Sequence, residues 1–155
     1  MNETLRLILE KHPFLQTMKP EHVDTLARSA TVVEFQPDHV LFHEREPANR
    51  FYVIQSGRIA LEAHQPCNGT VLVETLKAGD VLGWSWLFPP FSWHFQARVL
   101  EPTIAIALDG AELMIAAEND HDFGYELMKR VAQVVIHRLQ TTRDRLFRHE
   151  PLLTG

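Results

Sequence analysis

Hydrophobic positions change their spacing twice along the chain, and each change marks a different kind of secondary structure. In residues 1–30, apolar side chains recur every three or four positions, which predicts two short helices. From residue 31 to residue 109, short β-branched and aromatic runs alternate with turn segments such as QPD and PCNG. These runs predict about seven or eight strands of an antiparallel sandwich or barrel, with a hairpin turn at Asn68-Gly69. Helical spacing returns over residues 110–149, with Asp109 as the predicted N-cap.

The last helical segment carries two apolar stripes. One stripe recurs at alternating steps of four and three, as in a heptad seam, and comprises Met128, Ala132, Val135, Leu139, Thr142 and Leu146. The other comprises Leu127, Val131 and Val134, about 100° further round the helix. One helix cannot bury both stripes against one small domain. We therefore expect one stripe to pack on the domain and the other to pair with a second copy in a homodimer; the alternative is one wide stripe facing the core.

Composition excludes several classes of function. The formal net charge of −5 argues against DNA or an anionic membrane as a partner. Cys67 is the single cysteine, which excludes an internal disulfide, a thiolate zinc site and a CxxC redox pair. The N-terminal stretch NETLRLILEKH is interrupted by acidic residues, unlike a signal peptide or a membrane span. We expect a soluble, cytoplasmic protein with no membrane contact.

An aromatic segment, GWSWLFPPFSWHF at residues 83–95, holds all three tryptophans of the chain. Between residues 81 and 97 there is no Asp, Glu, Lys or Arg. Gly79 and Gly83 bracket a turn before this segment, and the turn could lead directly into a short helix. Free backbone N–H groups at such a helix start would bind an anion. The alternative is a hydrophobic cap over one end of the barrel.

Several stretches resemble the cyclic nucleotide-binding domain of the catabolite-activator and fumarate-nitrate-reduction regulator superfamily. They are FYVIQSGRIAL, AGDVLG, ARVLEPTIAIAL and RLQTTRDRL, and the similarity covers residues 10–148. The resemblance implies a mainly β fold with helices: an antiparallel β roll (a double-stranded β-helix or jelly roll) flanked by N-terminal helices and a long C-terminal helix. It also implies N-terminal helices at 1–30, a roll at 31–109 with the phosphate-binding cassette at 79–98, and C-terminal helices at 110–149 that include the dimerising one.

The family's ligand contacts are replaced in this chain. Where the family has Glu after the glycine, to hold the ribose 2′-hydroxyl, this sequence has Trp84. Where the family has Arg followed by Ser or Thr, to neutralise the cyclic phosphate, it has Trp93 and His94. A tryptophan has one donor and no charge, so neither function survives. The expected contacts of the altered cassette are therefore Gly83, Trp84, Ser85, Trp86, Trp93, His94 and Arg98.

Two interpretations of this aromatic cassette stay open. In one, a cyclic nucleotide or another small planar or anionic ligand stacks on Trp84, Trp86 or Trp93. In the other, the rings fill the pocket themselves and the domain docks a partner protein. Arg98 is the nearest arginine that could reach an anion, or else a structural residue that ties the cassette to the roll. A protonated His94 would replace part of the lost positive charge.

The sequence gives no support for an enzymatic activity or for direct binding to DNA. A cupin-like metalloenzyme would need clustered histidines, but His39 and His43 on one strand would lie about 13 Å apart, too far for one metal ion. No nucleophile has an evident base, and no helix-turn-helix follows the long helix. We expect a stand-alone, non-enzymatic, dimeric regulatory or sensor domain with no assigned cofactor or metal. Ligand contacts at its cassette should bias the packing of the long helix.

Overall fold

The N-terminal part folds into the helices that its apolar spacing predicts. The computed structural model describes residues 3–67, 69–84, 92–93 and 95–149. Its first elements are α1 (Glu3–Lys11), a 3₁₀ turn (Pro13–Leu15) and α2 (Pro20–Ala27). Pro13 and Pro20 each stand in the first turn of their element, where the missing N–H is not needed. The apolar side chains of these helices pack on one end of the sheet.

The middle of the chain forms one antiparallel sheet. Among the described residues its strands follow the order β1-β6-β3-β4, while β2 pairs with β6 and β5 pairs with β3. All these pairs are antiparallel. The strand bounds are β1 (Thr31–Phe35), β2 (Val40–Phe42), β3 (Arg50–Gln65), β4 (Gly69–Lys77), β5 (Val81–Leu82) and β6 (Gln96–Asp109). This is the predicted mainly β fold with flanking helices.

Two strands are longer than the sequence pattern predicts. The stretches on either side of Gly57 form one strand, β3, of 16 residues, and β6 continues through Pro102 for 14 residues. Gly57 has a φ of 100°, and a Cβ there would lie 2.3 Å from Thr103 Oγ1. Register shifts beside Gly57 let β3 bend without ending, so two pairs of predicted strands merge.

The predicted hairpin joins β3 and β4. Their pairing runs from Arg58 opposite Lys77 to Gln65 opposite Gly69. Gly69 has a φ of 67°, the left-handed conformation that a tight hairpin turn favours. Asn68, the other predicted turn residue, lies outside the described residues.

Two helices complete the chain, α3 (Gly110–Asn119) and α4 (His121–His149). Asp109 caps α3 as predicted, because its carboxylate accepts a hydrogen bond from the Glu112 N–H. Along α4, the stripe that packs on the domain contains Phe123, Leu127 and Val131, all at most 2% exposed. The heptad seam points away from the domain. Thr142 is half-buried, and the other five members are exposed: Met128, Ala132, Val135, Leu139 and Leu146.

Two apolar clusters hold these parts together. One lies between the helices and the sheet, around Leu9, Phe51 and Phe123. The other fills the inside of the roll, around Ile59 and Leu61. Of the aromatic segment, Trp84 packs against the first cluster, and Trp93 and Phe95 contribute to the second. No helix in the described part of the chain combines the length and the apolar character that crossing a membrane requires.

Candidate ligand-binding site

The site begins at a glycine that no other residue can replace without strain. Gly83 follows β5 directly and has a φ of 95°. A Cβ at this position would lie 2.5 Å from the carbonyl oxygen of Arg50 and 3.3 Å from Cη2 of Trp93. The absence of a side chain therefore lets the cassette backbone lie directly against β3 and against the Trp93 ring.

Trp84, the next residue, faces the long helix. The guanidinium carbon of Arg138, on α4, lies 4.4 Å from the centroid of the Trp84 ring, a cation–π contact. Arg138 Nε lies 3.0 Å from Glu74 Oε2 on β4, and Arg138 also donates to the carbonyl oxygen of Val81. We call Trp84, Arg138 and Glu74 the α4 clamp, because these three residues connect the cassette, β4 and the helix.

The α4 clamp is largely removed from water. The side chains of Arg138 and Glu74 are 16% and 20% exposed. Burial lowers the pKa of Arg138 and raises the pKa of Glu74, and the charge of each partner opposes part of that shift. Burying a guanidinium is costly unless its donors are occupied. Here the carboxylate, a carbonyl and an aromatic face supply the required partners.

Trp93 occupies the inside of the roll. Its ring is 5% exposed and stacks on Phe42, with the ring centroids 3.8 Å apart and the planes inclined by 12°. The backbone around it is held as well, since Trp93 N–H donates to the carbonyl of Glu46 and its carbonyl accepts from Arg45 N–H. One face of this indole is therefore already used by the protein.

Arg98 is held in an ion pair inside the sheet. Its Nε and Nη2 donate to the two carboxylate oxygens of Glu62 at 3.2 and 2.9 Å, and its Nη1 lies 3.5 Å from Asp38. Gln96 donates a further hydrogen bond to Glu62, whose residue as a whole is only 7% exposed. The hydrogen bonds from Arg98 lower the pKa of Glu62 more than its burial raises it. The guanidinium thus serves to neutralise a buried carboxylate.

The structure separates the residues that the sequence grouped into one cassette. Trp93 lies beside Gly83, where a Cβ would come within 3.3 Å of its ring, Trp84 contacts α4, and Arg98 pairs with Glu62. Ser85, Trp86 and His94 lie outside the described residues. Their roles as ligand contacts, with those of the other cassette residues, stay predictions.

Sequence reasoning missed the partners of the cassette, Glu62, Glu74 and Arg138. Arg138 carried one available signal, because it continues the domain-facing stripe of Leu127, Val131 and Val134 by one helical turn. A charged residue at such a position requires a buried partner. The strand-borne carboxylates gave no comparable signal, because their facing partners depend on strand register.

Metal binding is not favoured by the histidines. Among the residues that the structure describes, no group of three or more His, Cys, Asp or Glu side chains is placed to hold a metal ion. His39 stacks on Phe35, and His43 Nδ1 lies 3.2 Å from Gln96 Oε1. The cupin-like alternative therefore gains nothing from the structure.

The roll, the glycine turn into the cassette and the long helix beside it define a domain of the cyclic nucleotide-binding class. Residues 32–120 match the sequence model of the cyclic nucleotide-binding domain. The chain belongs to that family.

Known proteins with similar sequence or structure agree with this assignment. A CRP-like cAMP-activated global transcriptional regulator of Mycobacterium tuberculosis is 24% identical over 90% of this chain. The chain spans 60% of that regulator's length. A solved cyclic nucleotide-binding domain from Methylobacillus flagellatus KT superposes with a TM-score of 0.80 at 18% identity, covering 99% of this chain and 86% of its own.

A third relative differs in its ligand. It is the regulatory subunit of a cAMP-independent protein kinase A from Trypanosoma cruzi, solved bound to guanosine. Its TM-score is 0.63 at 18% identity, covering 79% of this chain and 48% of that one. At this identity the likeness shows a shared fold.

Proposed function

We propose that this chain is a non-enzymatic regulatory domain that binds an uncharged planar ligand of the nucleoside class by ring stacking. In this proposal the cassette lacks the arginine–phosphate contact that holds a cyclic nucleotide phosphate in the family. The observation that carries the proposal is the engagement of Arg98 by Glu62, because Arg98 is the one arginine within the cassette sequence, residues 79–98.

Arg98 cannot be redirected to a ligand without a penalty. A cyclic phosphate contributes a charge-assisted hydrogen bond of about 1.5–3 kcal/mol when a guanidinium meets it. Taking Arg98 from Glu62 leaves a buried carboxylate without its cation, which costs about as much or more. The exchange gives no net affinity. A ligand without a phosphate avoids the exchange altogether.

A nucleoside fits the chemistry that remains. Stacking of a base on an aromatic side chain is worth about 1–3 kcal/mol and requires no charge. The guanosine named in the Trypanosoma cruzi structure is such a ligand, and that protein shares this fold. Trp84 offers the stacking surface, because it is only half-buried, whereas Trp93 is 5% exposed and stacks on Phe42 inside the roll.

Ligand binding at Trp84 would act on the long helix. A base on the face of Trp84 that Arg138 now covers displaces the guanidinium and releases one contact of the α4 clamp. Leu139, the next residue along α4, belongs to the heptad seam and is 68% exposed. Losing this contact weakens the attachment of this turn of α4 to the roll, beside the surface through which we propose that two copies associate. This arrangement would convert ligand binding into a change of dimer stability.

A thermal-shift series tests the ligand class. Guanosine and adenosine are compared with cyclic GMP, cyclic AMP and cyclic dinucleotides at equal concentrations. A ligand at 100 times its dissociation constant stabilises the fold by about 2.7 kcal/mol. We expect a nucleoside to stabilise at least as well as its cyclic monophosphate. A cyclic nucleotide that stabilises while its nucleoside does not would refute the proposal, since the phosphate would then be recognised.

Variants of Trp84 test the stacking surface and its link to the helix. Trp84→Ala should abolish the nucleoside response and change the dimer dissociation constant, whereas Trp84→Phe should retain part of both. Leu72→Ala serves as the control, because it removes an apolar side chain that is 50% exposed from β4, away from the heptad seam. If Trp84→Ala changes only one of the two properties, the proposed coupling is wrong.

A further inference from the structure

The domain-facing stripe of α4 changes its chemistry half-way along the helix. Up to Val134 it is apolar and buries its side chains against the sheet and the N-terminal helices. From there the same face continues with Arg138, Thr141 and Arg145, all half-buried. Opposite these residues lie β4 and the turn into β5. The two sides enclose a cleft of about 600 Å³, which we call the α4 groove.

Positive charge exceeds negative charge in the α4 groove. Its permanent cations are Lys77, Arg130, Arg138 and Arg145, and its carboxylates are Glu74 and Asp80. His137 also lines the groove. This excess stands out on a chain whose net charge is −5. A cleft that is lined by charges of one sign raises the local concentration of ions of the opposite sign.

Two of these four cations already have partners within the protein. Arg130 pairs with Glu126 and donates to the carbonyl of Phe14, and Arg138 belongs to the α4 clamp. In the described part of the chain, no ion pair within 4.0 Å involves Lys77 or Arg145.

Glu74 does not balance the remaining charge. The charges of Arg138, Arg145 and His137 all favour its ionised form, so that one carboxylate serves several cationic groups.

We infer that the α4 groove binds a small polyanion, a compound with two linked phosphate groups, between Arg145 and Lys77. Thr75, Gln133 and Thr141 line the same cleft and supply neutral hydrogen-bond donors. The volume of the cleft lies within the range of small-molecule sites. A diphosphate held there joins the distal half of α4 to β4 and so restrains the helix on which the clamp acts. The groove includes the first residues of the cassette, Gly79, Asp80 and Val81, but neither Trp84 nor Trp93 lines it.

Titration with inorganic pyrophosphate at constant ionic strength tests the site, with calorimetry as the readout. Arg145→Gln and Lys77→Gln should each weaken pyrophosphate binding about tenfold or more. Arg148→Gln is the matched control: it removes the same charge from the exposed end of α4, where it does not line the groove. We expect that variant to change the dissociation constant less than twofold. Both groove residues are at least partly exposed, and circular dichroism checks that the variants fold.

Two results would overturn the inference. One is the absence of pyrophosphate binding to the unmodified chain at millimolar concentration. The other is equal weakening by Arg145→Gln and Arg148→Gln, which would show general attraction to a basic helix end. The nucleoside proposal stands or falls separately, since Arg145→Gln and Lys77→Gln should weaken pyrophosphate binding and leave the nucleoside response intact.

Discussion

Replacing Trp93 by alanine tests whether its ring belongs to the hydrophobic core or forms a ligand-binding surface. The ring is 5% exposed, stacks on Phe42 with the centroids 3.8 Å apart, and fills the space beside Gly83. Truncation of a buried aromatic residue to alanine costs about 3–5 kcal/mol, of which ring stacking accounts for about 0.5–1.5 kcal/mol. With a urea m-value of about 2 kcal/mol/M for a domain of this size, the midpoint should fall by about 2 M.

The assay is urea unfolding followed by far-UV circular dichroism at a fixed protein concentration. Tyr125→Ala is the control and should shift stability by less than about 0.5 kcal/mol, because that ring is 69% exposed. Trp93→Phe should recover part of the loss, since a phenyl ring can still stack on Phe42. A loss below about 1 kcal/mol for Trp93→Ala, joined to a lost nucleoside response, would refute the assignment of this ring to the core.

Three further predictions concern the turn, the buried ion pair and the helix seam. Gly83→Ala should destabilise the fold in urea by more than about 1 kcal/mol, because its Cβ meets the Arg50 carbonyl at 2.5 Å. Because the pKa of Glu62 is lowered in the fold, its ionised form stabilises the protein at pH values above the ordinary pKa of glutamate. This stabilisation is lost as the pH falls towards the folded-state pKa. Glu62→Gln should therefore make the free energy of unfolding fall less steeply with decreasing pH in the acid range. Leu139→Glu should shift sedimentation towards monomer without unfolding, since that side chain is 68% exposed.

The local pattern of apolar and turn-forming residues is sufficient to predict most of the secondary structure. The N-terminal helices, the Asp109 cap and the span of α4 follow from apolar spacing and turn residues, which act over a few positions. The two apolar stripes of α4 also predicted that one would face the domain, and Leu127 and Val131 do so. The length of β3 was not predictable in this way. Gly57 is typical of a break, but the strand continues through it, with register shifts against β6 on both sides.

The candidate site was only partly visible in the sequence. The positions where family contacts are replaced, Trp84 and Trp93, could be identified from the resemblance. Their surroundings could not, because the residues that meet them are distant in sequence: Arg138 for one ring and Phe42 for the other.

By itself, the sequence determined what each segment can become: which stretches are helical, which are strands, and that no charge enters the aromatic segment. These properties depend on neighbouring residues and on the intrinsic preferences of side chains. Tertiary structure alone decided what Trp84 and Trp93 contact and which carboxylates Arg98 and Arg138 neutralise. Arg98 meets Glu62 only because strand register brings β6 beside β3, and Arg138 meets Trp84 only because α4 packs back along the roll. Burial makes these pairings costly to break, since a charge removed from water must keep its partner.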